Sequence, residues 1–150
     1  MQPIKETPLG LDREARVASY LTTTYPWVLT STPKFYFTDY HINERNGLQY
    51  ENYIGDLEIK WLNTPSSERA LFSFTKVQQM SILPLYKDLP NAAHRVLFRF
   101  TDGLLMLPVD ALQTLKPFLF RQNGPDELTK LVVQVQAKDY LPYFKPIIIR

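Results

Sequence analysis

The sequence predicts a mixed α/β (α+β) domain with a helix, three strands, a second helix and further strands around a central mixed sheet. Three patterns predict it: apolar residues at helical spacing near the N-terminus, a strongly alternating segment in the middle, and a hairpin signal in the second half. The 150 residues have the usual length of one domain. We therefore expect a single domain over residues 1–150.

In the first half, the helix is predicted from apolar residues at three- and four-residue spacing. Asn46-Gly47 is a strong hairpin signal and predicts the turn before a strand at 53–62. The second half of this strand has the clearest alternation of polar and apolar residues in the chain. The expected elements are a helix at 12–23 and strands at 27–30, 34–42 and 53–62.

In the second half, Thr101-Asp102-Gly103 separates two apolar runs and predicts a hairpin. Pro84 is expected to end a helix that starts at Ala70, because proline cannot continue a helical hydrogen-bond pattern. The expected elements are a helix at 70–83, strands at 95–100 and 104–107, a short helix at 108–115 and a strand at 131–135.

Composition excludes several kinds of site. The chain has no cysteine and two histidines, which excludes disulfides, thiolate metal sites and a cysteine nucleophile. No apolar run approaches the roughly 18 residues of a membrane span, so we expect no membrane partner and a cytoplasmic location. The net charge of +2 means that nucleic-acid binding would need a local basic face.

One predicted strand carries the residues that are the best candidates for a chemical role. Alternation places Asp56, Glu58 and Lys60 on one face. The preceding strand contributes Asp39, opposite residue 58 if the turn is centred near 48–49, or opposite Ile54 if the Asn-Gly turn is tight. Paired carboxylates suit Mg²⁺, which takes one or two of them and keeps waters and phosphate oxygens as its other ligands. Lysine beside such a pair can offset charge that develops on a phosphate.

The order of these elements and residues resembles the PD-(D/E)xK nuclease superfamily, whose restriction-endonuclease-like core is a helix, three strands, a helix and a strand. The longer spacing before Glu58 leaves Asp56 as a rival metal ligand. The positions that match the family's catalytic residues are Glu14, Asp39, Glu58, Lys60, and Gln78 or Gln79.

This resemblance implies a Mg²⁺- or Mn²⁺-dependent endonuclease acting on double-stranded DNA. Asp39 and Glu58 would hold the metal with the Ile59 carbonyl, and Lys60 would position the attacking water. A site-specific enzyme like small homing or restriction endonucleases is the first expectation. The alternatives are a RecU-type Holliday-junction resolvase and a non-catalytic DNA-binding or assembly module. Cutting two strands needs two sites, so a homo-oligomer, a dimer or a tetramer, is expected.

DNA contacts are expected from loops beside this site. The polar hairpin after the second strand has the side chains that read base edges in the major groove. Its candidates are Arg45, Asn46 and Gln49, and those for phosphate contacts are Lys34, Arg69 and Lys76.

Overall fold

A six-stranded mixed sheet forms the centre of the protein in the computed structural model, which describes residues 8–47, 50–122 and 128–150. Among these residues, no helix is both long enough and apolar enough to cross a membrane. The elements in chain order are α1 (Pro8–Thr24), β1 (Trp27–Ser31), β2 (Tyr40–Asn46), β3 (Tyr50–Trp61), β4 (Ala70–Ser73), α2 (Phe74–Ser81), β5 (Arg95–Phe100), β6 (Gly103–Pro108), α3 (Val109–Gln113), β7 (Phe118–Gln122), β8 (Leu128–Val135), a 3₁₀ helix (Ala137–Tyr143) and β9 (Phe144–Lys145).

The large sheet has the strand order β1-β2-β3-β5-β6-β9. The first three strands are antiparallel neighbours, and β5 lies parallel to β3. A parallel neighbour requires a crossover connection, which here contains β4 and α2. A second sheet, β4-β8-β7, is antiparallel throughout. The prediction of a mixed α+β protein with a central mixed sheet is therefore confirmed.

Apolar residues fill both faces of the large sheet. On one face, Val17 and Leu21 of α1 pack with Leu57 of β3 and Leu97 of β5. On the other face, α2, α3 and the small sheet cover the opposite side chains of β5 and β6, among them Phe98. Because side chains alternate along β3, Glu58 and Lys60 lie on this second face.

The aromatic segment is a loop and not the predicted strand over 34–42. The strand β2 begins only at Tyr40, and we call residues 32–39 the aromatic loop. Pro33 cannot donate a hydrogen bond to a strand ladder, and Phe35 has a φ of 71°, which is incompatible with extended backbone. Alternation of aromatic residues did not distinguish this loop from a strand.

The helix predicted over 70–83 is correct only for its later part. Residues 70–73 form β4, because they pair with β8, a partner sixty residues away that local pattern does not reveal. Ser73 then caps α2 by accepting a hydrogen bond from the Lys76 N–H. The predicted hairpin of β5 and β6 is confirmed, whereas β7 and β9 were not predicted.

Candidate active site

The pairing of β2 with β3 brings Asp39 opposite Glu58. Tyr40 pairs with Leu57, and a β-bulge between Ile42 and Asn43 absorbs one residue of the hairpin. The Asp39 N–H donates to the Leu57 carbonyl at 3.0 Å, and the Ile59 N–H donates to Asp39 Oδ2 at 2.7 Å. Of the two registers that the sequence allows, the structure has the one centred near 48–49.

Asp39 and Glu58 form a close carboxyl pair. Only 13% of the Glu58 side chain is exposed. Burial first, and then the hydrogen bond and negative charge of Asp39, raise the pKa of Glu58 to about 8 against the opposing effect of Lys76. The raised pKa means that the Asp39–Glu58 pair retains a proton more readily than two separate carboxyl groups would.

Lys76 is the lysine that contacts this pair. Its Nζ lies 2.9 Å from Glu58 Oε2 and also donates to the Phe37 carbonyl. The Ser73 cap places Lys76 in the first turn of α2, where its side chain reaches β3. Lys60 shares a strand face with Glu58 but is exposed. Sequence reasoning assigned the lysine at the carboxylates to Lys60 and gave Lys76 a phosphate contact, because contacts across the β3–α2 crossover were not predictable.

A cleft of about 800 Å³ opens over the carboxyl pair. It lies between α1, the aromatic loop, the end of β3 and the start of α2. Besides Asp39 and Glu58, its charged lining comprises Glu14, Lys34 and Lys76. The structure thus brings together side chains from four separate elements, including the Glu14 predicted from the first helix.

The two candidate glutamines lie at the edge of this arrangement. Gln79 is half-buried and follows Lys76 by three residues, which places it on the same side of α2. Gln78 is exposed on another side of the helix. Neither is among the described residues that line the cleft. Gln79 is therefore the better placed of the two.

Asp56, the rival ligand, is fully buried and engaged with other side chains. Its Oδ2 accepts from the Thr38 hydroxyl at 3.0 Å. Its Oδ1 accepts from the Tyr53 hydroxyl at 2.6 Å and lies 2.7 Å from His41 Nδ1. Because both oxygens already have donors, Asp56 is a structural group and not a free metal ligand.

His94 supports Asp56 from the neighbouring strand. Its Nδ1 accepts from the Asp56 N–H at 2.9 Å, and its Nε2 lies 3.1 Å from the Leu83 carbonyl. This approach requires Gly55, which has a φ of 139° and whose absent Cβ would lie 2.0 Å from the Ala93 carbonyl oxygen. The histidine is a structural connection between β3 and the start of β5.

The predicted base-reading hairpin is not beside the cleft. Arg45 and Asn46 are exposed at the far end of β2, about 20 Å from Asp39 at the usual rise per residue. Gln49 lies outside the described residues. Arg69 is exposed and donates to Gln134 on β8 at 3.0 Å. Only Lys34 and Lys76 of the predicted DNA contacts line the cleft.

The residues present fit a cation with few protein ligands. The described part of the chain contains no group of three or more His, Asp or Glu side chains placed to hold a metal. Mg²⁺ needs only one or two carboxylates when waters and phosphate oxygens complete its shell, and Asp39 with Glu58 provides two. The Ile59 N–H fixes one of these carboxylates, while the predicted role of the Ile59 carbonyl stays a prediction.

Comparison with protein-family models, curated proteins and solved structures finds no match for this chain.

Proposed function

We propose that this chain is a divalent-metal-dependent endonuclease that hydrolyses phosphodiesters in double-stranded DNA. The observation that carries the proposal is the Asp39–Glu58 pair, which lies with Lys76 at the base of an open cleft. The Glu58 pKa stays raised in spite of Lys76, so that ammonium offsets only part of the cost of burying two neighbouring carboxyl groups. Binding of Mg²⁺ or Mn²⁺ would release the retained proton and offset the rest.

The topology supports a PD-(D/E)xK-type assignment. The chain runs through a helix, three antiparallel strands, the strand β4 of the second sheet, a second helix and a strand parallel to the third. Apart from the added β4, this is the order that the family resemblance implies. The acidic residues also occur near the positions that this resemblance implies, with Asp39 directly before β2 and Glu58 within β3.

Each group has a role in such a reaction. The ion would lower the pKa of a bound water and stabilise negative charge on the phosphate. Asp39 and Glu58 would hold it, and the Ile59 N–H keeps Asp39 oriented. Once the ion binds Glu58, the Lys76 ammonium, which lies 2.9 Å from Glu58, would be free to contact the phosphate and offset its charge. Lys60 lies further out on the face of β3 that carries Glu58. Glu14 would complete the acidic wall of the cleft.

Glu58→Ala tests this function. With Mg²⁺ or Mn²⁺, we expect cleavage of duplex plasmid DNA to fall by at least about 100-fold, the usual loss when a group that stabilises transition-state charge is removed. Glu68→Ala is the matched control, because Glu68 is an exposed glutamate outside the cleft lining. An unchanged cleavage rate in Glu58→Ala, with the circular dichroism spectrum preserved, would remove the nuclease assignment at this site.

Substrate choice and assembly follow as parts of the same proposal. A site-specific enzyme is the first choice, and a junction resolvase is compared with it by offering duplex and four-way-junction DNA side by side. We further propose that two or four copies assemble, because the described part of one chain supplies one carboxyl pair. Sedimentation of the protein with and without DNA measures this assembly.

A second candidate is a non-catalytic DNA-binding or assembly module. The observation that favours it is the Lys76–Glu58 ion pair, in which an ammonium already neutralises the carboxylate that a metal would need. Such a module would bind DNA equally with EDTA or Mg²⁺ and would cut neither substrate. Calorimetric titration with Mn²⁺ alone separates the candidates further, because only the nuclease requires the Asp39–Glu58 pair to bind the ion.

A further inference from the structure

Three consecutive aromatic rings in the aromatic loop are turned toward solvent. Phe35 is 68% exposed, Tyr36 is 39% exposed and Phe37 is 41% exposed. Single exposed apolar residues are common on protein surfaces, but contiguous ones mark interaction sites. No core in the described structure includes these three rings, so folding does not account for their presence together.

The loop that carries the rings is anchored at several points. The Thr32 N–H donates to the Asp39 carbonyl at 3.1 Å, and the Tyr36 N–H donates to the Pro33 carbonyl at 3.0 Å. Lys76 binds the Phe37 carbonyl, and the Tyr36 ring packs edge-on against His41 at a centroid separation of 5.5 Å. These contacts hold the loop backbone and the Tyr36 ring in place, which lowers the entropy lost when a ligand binds the loop.

The same loop forms one wall of the cleft over Asp39 and Glu58. Lys34 also lines this wall, and its Nζ lies 5.4 Å from the centre of the Phe35 ring. Aromatic rings beside a basic side chain are the combination that binds single-stranded nucleic acid, since the rings stack on bases and the cation contacts phosphates. An apolar protein surface placed here would cover the Lys34 charge without compensating for it.

We infer that the aromatic loop stacks on unpaired bases of a DNA strand whose phosphodiester lies at the carboxyl pair. The inference rests on the proposed function for the position of that phosphodiester. In a continuous duplex, both faces of each base are covered by its neighbours, so a protein ring reaches them only at an end, a branch or a flipped nucleotide. Within double-stranded DNA, the inference therefore narrows the preferred substrate to a duplex with unpaired or flipped nucleotides beside the cut.

The test measures binding without cleavage. In EDTA, fluorescence anisotropy compares a blunt duplex with the same duplex bearing a single-stranded thymine overhang. We expect Phe35→Ala and Phe37→Ala each to weaken binding of the overhang DNA by about 5- to 100-fold, the usual effect of losing one base–aromatic stack. Binding of the blunt duplex should stay unchanged, and Phe35→Trp should restore overhang binding because it restores a ring.

Tyr86→Ala is the matched control, because Tyr86 is 77% exposed but lies outside the cleft lining. It should bind both DNAs like the wild type. A 2-aminopurine base placed in the overhang reports stacking directly, and we expect its fluorescence to be quenched by the wild type more than by Phe35→Ala.

Three results would overturn the inference. The first is that both alanine variants bind the overhang DNA as tightly as Tyr86→Ala does, and the second is an equal loss of binding for overhang and blunt DNA. The third is a change in sedimentation showing that Phe35→Ala disrupts a contact between protein chains instead. Failure of the nuclease proposal is distinguishable, because Glu58→Ala would then leave cleavage unchanged while the binding results stand independently.

Discussion

Asp56 and Glu58 are two residues apart on one face of β3, and both are largely buried, yet their surroundings are opposite. The Asp56 carboxyl group is surrounded by donors from Thr38, His41 and Tyr53. The Glu58 carboxyl group meets another carboxyl group and a single ammonium. Burial of an acid therefore does not by itself indicate function. The identity of its neighbours distinguishes a structural carboxyl from a candidate ligand.

The free energy of burial is compensated at one position and not at the other. At Asp56, hydrogen bonds replace those lost with water, so the group contributes to a stable junction between β2 and β3. At Glu58, desolvation and the Asp39 charge disfavour ionisation, and the pKa rises to about 8. Lys76 compensates only part of this cost, and a bound cation would relieve the rest.

The strongest test of this contrast removes the Asp56 carboxyl group. We expect Asp56→Ala to lower the free energy of unfolding by about 3–5 kcal/mol, because three partners lose their acceptor in the protein interior. Urea denaturation measures it, with Asp88→Ala, at an exposed aspartate, as the control. A loss below about 1 kcal/mol would contradict a structural role for Asp56.

In contrast to Asp56→Ala, Glu58→Gln should raise the free energy of unfolding. Folding raises the Glu58 pKa from its ordinary 4.5 to about 8, so the folded state binds an extra proton between these values. The free energy of unfolding of the wild type therefore falls as pH rises through that window. We expect Glu58→Gln to stabilise the protein by about 1–3 kcal/mol at pH 8 and by little at pH 4.5. Thermal unfolding at the two pH values checks this difference, and a pH-independent effect would argue against it.

The two lysines give the smallest expected effects. Lys76→Met removes the Glu58 ion pair, which is partly shielded from solvent, and should cost about 1 kcal/mol at pH 8. Lys60→Met should change stability by less than about 0.5 kcal/mol, as substitutions at exposed positions usually do. Equal losses in the two variants would show that Lys76 has no special relation to the carboxyl pair.

Local pattern was sufficient for part of this site. Alternation in β3 predicts that Glu58 and Lys60 lie on one face. Of the two hairpin registers that the sequence allows, one pairs Asp39 with Glu58, as the structure does. Lys76 was assigned a different role because its approach depends on a crossover and on a helix that starts four residues later than predicted. The environment of Asp56 also depends on the exact register, which brings His41 opposite it, and single-sequence pattern left that register open.

The aromatic loop is a second feature that local sequence pattern does not predict. A run of aromatic residues has high strand propensity, so the sequence predicts a strand through the three consecutive rings. Propensity reflects packing against neighbours on a sheet, and no neighbouring strand is available to Phe35, whose φ of 71° breaks the extended backbone. Exposure of the rings was thus the least predictable feature of the site.

The β-bulge between Ile42 and Asn43 has a consequence for how this protein can vary. It separates an inner part of the hairpin, where 40–42 pair with 55–57, from an outer part, where 43–46 pair with 50–53. The inner part is also held by the hydrogen bond from the Asp39 N–H to the Leu57 carbonyl. We therefore expect substitutions in the strands beyond the bulge to leave the pairing of Asp39 with Glu58 unchanged. The outer part of the hairpin can vary in sequence while the inner part keeps its register.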